Sequence, residues 1–244
     1  MNIKHFFTLT ALIFFIQAHA QIDETEPGQS QLREARQFEQ LSNFDIGLRR
    51  GGILMQLDYQ HIHRLNPENR FRMGYGLALT RFRGFNDIPY TIVGEPSNAD
   101  AGVGLDTFQV ENAKISSLNL FLLVNYAPNN RIDFGLLVDA IGLSWGDVQK
   151  GLFASGPNDP NPRGGNAAPV QLNTSFGSLG SWRSRFQLRY WVYPRWSLQT
   201  AATFWRSAYQ ISEDTNLGNG GSKYSSGLWF WQMGLAFRWG EVYY

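Results

Sequence analysis

The chain has 244 residues, no cysteine, eight tryptophans, eighteen phenylalanines and 25 glycines, and a formal net charge of +1. The missing cysteine excludes disulfides, thiolate metal sites and a lipid-anchored lipoprotein. Near-balanced charge leaves no electrostatic footprint for nucleic acid, and past the N-terminal run no apolar stretch approaches the length of a transmembrane helix.

In chain order, the first element reads as a removable address. Lys4 precedes the apolar run Phe6–Ile16, and Ala18-His19-Ala20 fits a small-x-small cleavage site. Residues 1–20 are therefore expected to be a signal peptide, cut after Ala20. Residues 21–42 are polar and read as a flexible lead-in, with one helical stretch over Gln31–Leu41.

From residue 43 onward the chain alternates with period two, the signature of half-buried strands. Phe44, Ile46 and Leu48 face one way and Asp45, Gly47 and Arg49 the other. The apolar parity changes across Arg50-Gly51-Gly52, where a turn or a bulge is required; the pattern favours a turn without deciding between them. Further alternating runs cover Ile53–Tyr59, Phe71–Leu79, Leu118–Tyr126, Ile132–Ala140, Trp182–Val192, Trp196–Phe204 and Gly227–Trp239. Short turns at 66–69, 128–130 and 194–195 alternate with longer loops at 86–112, 147–177 and 212–222. The Gly-Pro-Asn-Asp-Pro-Asn-Pro-Arg-Gly-Gly run in the second loop reads as irregular.

One face of these runs is apolar and free of charge at its centre. The last run shows this best, with Trp229, Trp231, Met233, Leu235, Phe237 and Trp239 in one row. Such a row suits lipid, where an arginine at mid-depth costs about 2–4 kcal/mol, and not water. The expected fold is all-β: an eight-stranded antiparallel transmembrane β-barrel in up-and-down order over residues 43–244, set in the cell outer membrane. Both termini then lie on the periplasmic side, and the long loops are extracellular.

Gln232-x-Gly234-x-x-Phe237-x-Trp239 resembles the C-terminal signal read by the outer-membrane barrel assembly machinery: polar, x, Gly, x, x, aromatic, x, aromatic. The tail Gly240–Tyr244 is a departure, since many such chains stop at the final aromatic. Over residues 43–239 the chain is similar to the small eight-stranded outer-membrane proteins, in the style common in Bacteroidota. The resemblance implies a location and an assembly route, not an activity.

The other face carries the charges. An eight-stranded barrel is just wide enough for side chains to fill it, so Asp45, Asp133, Asp139, Arg183, Arg185, Arg189 and Arg238 are expected to form an interior ion-pair core. Antiparallel folding sets Asp139 near Arg185, Asp133 near Arg189, and Arg238 towards Asp45 across the closing seam. Gly74, Gly76 and Ala78 leave room for the arginines. At the extracellular strand ends Arg81, Arg83, Arg206 and Lys223 are candidate contacts for lipopolysaccharide phosphates.

No metal or cofactor site is expected. His61 and His63 share a face but continue the outward row near the periplasmic turn, where they suit an interface girdle. The expected role is structural, adhesive or as a subunit of an outer-membrane complex, acting through the loops, with no open pore and no enzymatic activity. The alternatives are an outer-leaflet enzyme that modifies lipid A, with rim carboxylates such as Asp87 and Asp147, or a narrow small-solute channel.

Overall fold

Each alternating run forms a strand, and the loops add more. The computed structural model describes residues 38–65, 70–85, 88–92, 107–110, 112–154, 161–174, 180–211 and 223–239; the leader and the segment to residue 37 lie outside them. Among the described residues there are thirteen strands: β1 (Phe38–Arg49), β2 (Gly52–Arg64), β3 (Phe71–Gly84), β4 (Ile88–Ile92), β5 (Thr107–Val110), β6 (Lys114–Asn129), β7 (Ile132–Trp145), β8 (Gln149–Ala154), β9 (Arg163–Pro169), β10 (Leu172–Thr174), β11 (Trp182–Trp191), β12 (Trp196–Ile211) and β13 (Lys223–Trp239).

All pairings are antiparallel. The long strands pair in the sequence β1-β2-β3-β6-β7-β11-β12-β13, and β13 returns to β1 with Phe44 opposite Leu235. Beyond the end of β11, β9 takes its place beside β12; beyond the end of β1, β4 takes its place beside β13. β5 and β8 join β4 to β9, so the outer circuit of pairings holds twelve strands, and β10 pairs with β7 alone.

The strand count thus departs from the expected eight. The five extra strands are short, lie in segments read as loops, and are too brief to show a period of their own. Arg163-Gly164-Gly165, read as irregular, pairs with Gly151-Leu152-Phe153. Backbone pairing overrides weak local propensity where a neighbouring edge is available.

Three local details set the walls. Arg49 pairs with Gly52 across a two-residue turn whose Gly51 has φ 88°, so residues 38–49 are a separate first strand. That strand starts at Phe38, inside the lead-in, and Phe38–Leu41 is extended where a helical stretch was expected. At Asn129 the side-chain Oδ1 accepts from the amides of Arg131 and Ile132, each at 2.9 Å, an Asx-type closure of the turn. In β7 the register against β6 skips Ala140, a bulge that moves the outward set from even to odd numbers. Asp139 stays inward below it, and Ile141, Leu143 and Trp145 face outward above it.

The molecule is apolar outside and charged inside. Trp229, Trp231 and Met233 are the most exposed of their row, Met233 at 68 %, while Arg183, Arg185 and Arg189 are fully buried. Above the charged level the interior turns aromatic. Phe82, Tyr90, Phe108, Phe153, Trp205, Tyr209, Tyr224 and Phe230 pack there with Leu54 and Leu228.

Candidate functional site

The buried charges form two linked chains. In the first, Arg185 Nη1 sits 2.8 Å from Asp45 Oδ2 and 3.2 Å from Asp58 Oδ2. Arg183 Nη1 lies 3.4 Å from the other oxygen of Asp58, and its Nε lies 2.9 Å from Asp139 Oδ1. In the second, Glu39 and Arg72 meet at 3.2 Å, Arg72 faces Asp133 at 3.9 Å, and Asp133 faces Arg189 at 3.7 Å. Asn43 joins the two, donating to Asp58 and accepting from Arg189, and Gln199 does the same between Arg189 and Asp45. Burying an ion costs several kcal/mol, and these partners and hydrogen bonds are what offset it.

Register explains which pairs form. Asp133 lies opposite Arg189 on β11, and the two come together. Asp139 lies one step past the last β7–β11 pair, Val138↔Ser184, so it takes the Arg183 guanidinium and also accepts from the Arg183 amide at 3.1 Å; Arg185, expected there, goes to Asp45. On the seam Arg238 is opposite Leu41, and Asp45 is opposite Gly234, four residues away. That offset is roughly 13 Å along the strand, so Arg238 turns to Glu39 at 3.7 Å instead. Glu39 was absent from the expected core because it sits in the polar lead-in. Its odd number, in phase with Leu41, Asn43 and Asp45, was the available signal. Asp58 lies in phase with the buried Leu54 and Gln56 on β2, and Arg72 with Gly76 and Ala78 on β3, so parity places both inward.

The room around Gly76 is taken by Phe121, not by an arginine. Arg183 instead lies over that ring, 5.1 Å from its centroid, and Arg238 lies 3.8 Å over Trp191. These contacts suit a guanidinium removed from water.

The aromatic level packs the interior at the end away from the short turns. Phe108 stacks on Phe153 at 4.3 Å between ring centroids, and Phe82 meets Trp205 at 4.5 Å. Tyr90 reaches Ser207 Oγ at 3.0 Å, and burial pushes its phenol well above the ordinary range, so it remains a neutral hydroxyl.

On the outside, His61 stacks on Phe38 at 5.1 Å and lies 5.3 Å from Tyr75, with His63 edge-on at 4.7 Å. This is an aromatic patch, and among the described residues no group of three His, Asp or Glu could hold a metal. Asp87 lies outside the described residues. Asp147 is exposed, and its backbone carbonyl accepts from Gln149. Arg81 and Arg83 stand on β3, Arg83 opposite Lys114, while Arg206 and Lys223 stand on β12 and β13. β1 and β2 separate the two groups, so the structure does not gather them into one cluster.

The four residues of the C-terminal motif each have a place in the closing strand. Gln232 is buried and accepts from Thr203. Phe237 packs on Trp196 at 4.8 Å, and Trp239 Nε1 donates to Ser42 Oγ at 2.8 Å. Gly234 is the tightest: a Cβ there meets the Asp45 carboxylate and the Phe44 carbonyl. Gly234→Ala is therefore expected to cost about 1–3 kcal/mol in refolding into detergent without any assembly machinery, measured by urea titration. An unchanged midpoint would leave Gly234 with a recognition role alone.

No family model matches the chain, and no curated protein matches it. Among solved structures it is similar to Ail, the attachment invasion locus protein of Yersinia pestis, with 9 % identity, 83 % of this chain and 98 % of that chain covered, and a TM-score of 0.37. It is also similar to Neisserial surface protein A, at 10 %, 83 %, 97 % and 0.36, and to a major outer membrane protein of Thermus thermophilus, at 14 %, 83 %, 99 % and 0.39. With TM-scores below 0.5, none of these likenesses assigns a role to this chain.

Proposed function

We propose that the protein is an integral outer-membrane β-barrel whose eight long strands span the bilayer. The observation that carries this is the inversion of polarity: a continuous apolar exterior around fully buried arginines and carboxylates. Trp229 and Trp239 are ten residues apart on β13. At ~3.4 Å per residue and a tilt of ~40° that is about 26 Å along the axis, close to the ~25 Å apolar band of such barrels. The short turns then face the periplasm, and the β4-β5-β8-β9 sheet rises from the extracellular rim.

The ion-pair core and the aromatic level above it support a filled barrel without an open pore. The role we infer is structural, adhesive or as a subunit of a membrane complex, through the extracellular strands, with residues 1–20 directing export and the barrel assembly machinery inserting the chain. Arg81, Arg83, Arg206 and Lys223 would meet lipopolysaccharide phosphates as two separate contacts. Membrane fractionation after urea and carbonate washing tests the location, with the protein expected in the outer-membrane pellet. In planar bilayers the purified barrel is expected to be silent; discrete conductance steps would replace the plug with a channel.

A further inference from the structure

At the mouth bordered by the short turns, one carboxylate serves three guanidiniums. Glu39 lies 2.9 Å from Arg64, 3.2 Å from Arg72 and 3.7 Å from Arg238. Arg72 has Asp133 as a second partner, and Asp133 also serves Arg189. Among the described residues Glu39 is the only carboxylate within 4 Å of Arg64 or Arg238. The Nε atoms of these two arginines are buried and hydrogen-bond to no described group. Their side chains keep 18 % and 13 % exposure against 6 % for Glu39, so the cluster presents arginine, not carboxylate, to its surroundings. Arg131 and Arg195 are exposed on the adjoining turns and carry the same sign.

We propose that this cluster binds a phosphate-bearing anion at the short-turn mouth, with the forked N–H groups of Arg64 and Arg238 as its donors. Planar guanidinium forks match phosphate oxygens, and a half-buried cluster in which, among the described residues, Arg64, Arg72, Arg189 and Arg238 share only Glu39 and Asp133 lowers the cost of bringing an anion in. The donors face the interior at the mouth, so a free phosphate and a phospholipid headgroup reaching in from the adjoining leaflet share the chemistry; the second source rests on the membrane reading.

Titration calorimetry on the purified full chain in uncharged detergent tests this, with short-chain phosphatidylglycerol and inorganic phosphate as separate probes. The joint Arg64→Gln and Arg238→Gln variant is expected to bind about tenfold or more weakly. Glu39→Gln, which removes the competing carboxylate, is expected to bind more tightly than the parent. Arg49→Gln at the opposite rim serves as the unchanged control, and near-ultraviolet circular dichroism confirms folding of each variant. Stronger binding of phosphatidylglycerol assigns the site to lipid, and equal binding of inorganic phosphate assigns it to the free anion. Absence of binding by either probe, or a Glu39→Gln variant no tighter than the parent, overturns the site. Because micelles replace the bilayer, that failure leaves the membrane location, tested by fractionation, standing.

Discussion

Asp58→Ala is expected to destabilise the barrel by about 3–5 kcal/mol, the cost of leaving a buried ion without its partner. Asp58 shares its two oxygens between Arg183 and Arg185 and also receives Gln56 Nε2 at 2.5 Å and Asn43 Nδ2 at 3.4 Å. All three charged groups are fully shielded from solvent. The alanine leaves two cations with one carboxylate each, Asp139 and Asp45, and frees two amides. Urea unfolding of the refolded protein, followed by tryptophan fluorescence or by the heat-dependent shift in gel mobility, gives the midpoint. A neutral Asp58→Ala would mean that water, not protein charge, occupies this level.

Leu77→Arg is expected to cost about 2–4 kcal/mol, because in the proposed barrel the position faces hydrocarbon near mid-depth. Leu77 is half exposed at the centre of β3, with Tyr59 and Leu120 as its cross-strand partners. The prediction separates two solvents. On a water-facing sheet the same change would stay within about 0.5 kcal/mol or improve solubility. Folding into lipid vesicles, with the midpoint read in urea, decides between them. Leu48→Arg, near the rim on β1, is the graded control and is expected to lose less.

The sequence made the long strands legible because each has one exposed apolar face and one buried face that carries the polar and charged residues, so period two persists along most of each strand. It made Asp133 and Arg189 legible as partners because nothing interrupts the register between them. Asp139 took Arg183, and Arg238 took Glu39, because parity fixes the face of a residue and not its height. Height is set by the stagger between neighbouring strands, here visible in the Leu41↔Arg238 pairing. The short strands were illegible for a different reason. β5 and β10 have four and three residues, and their pairing depends on the free edges of β12, β13 and β7 above the point where β11 and β1 end.

That last arrangement has an evolutionary consequence. β12, β9, β8, β5, β4 and β13 pair in turn, and β12 also pairs with β13, so four segments from two separate connections close on one another between two of the long strands. Connections that stood alone could lengthen, shorten or change their sequence one at a time. Here an insertion in either one shifts the partners of the other, so the two would have to drift together, as a single heritable unit.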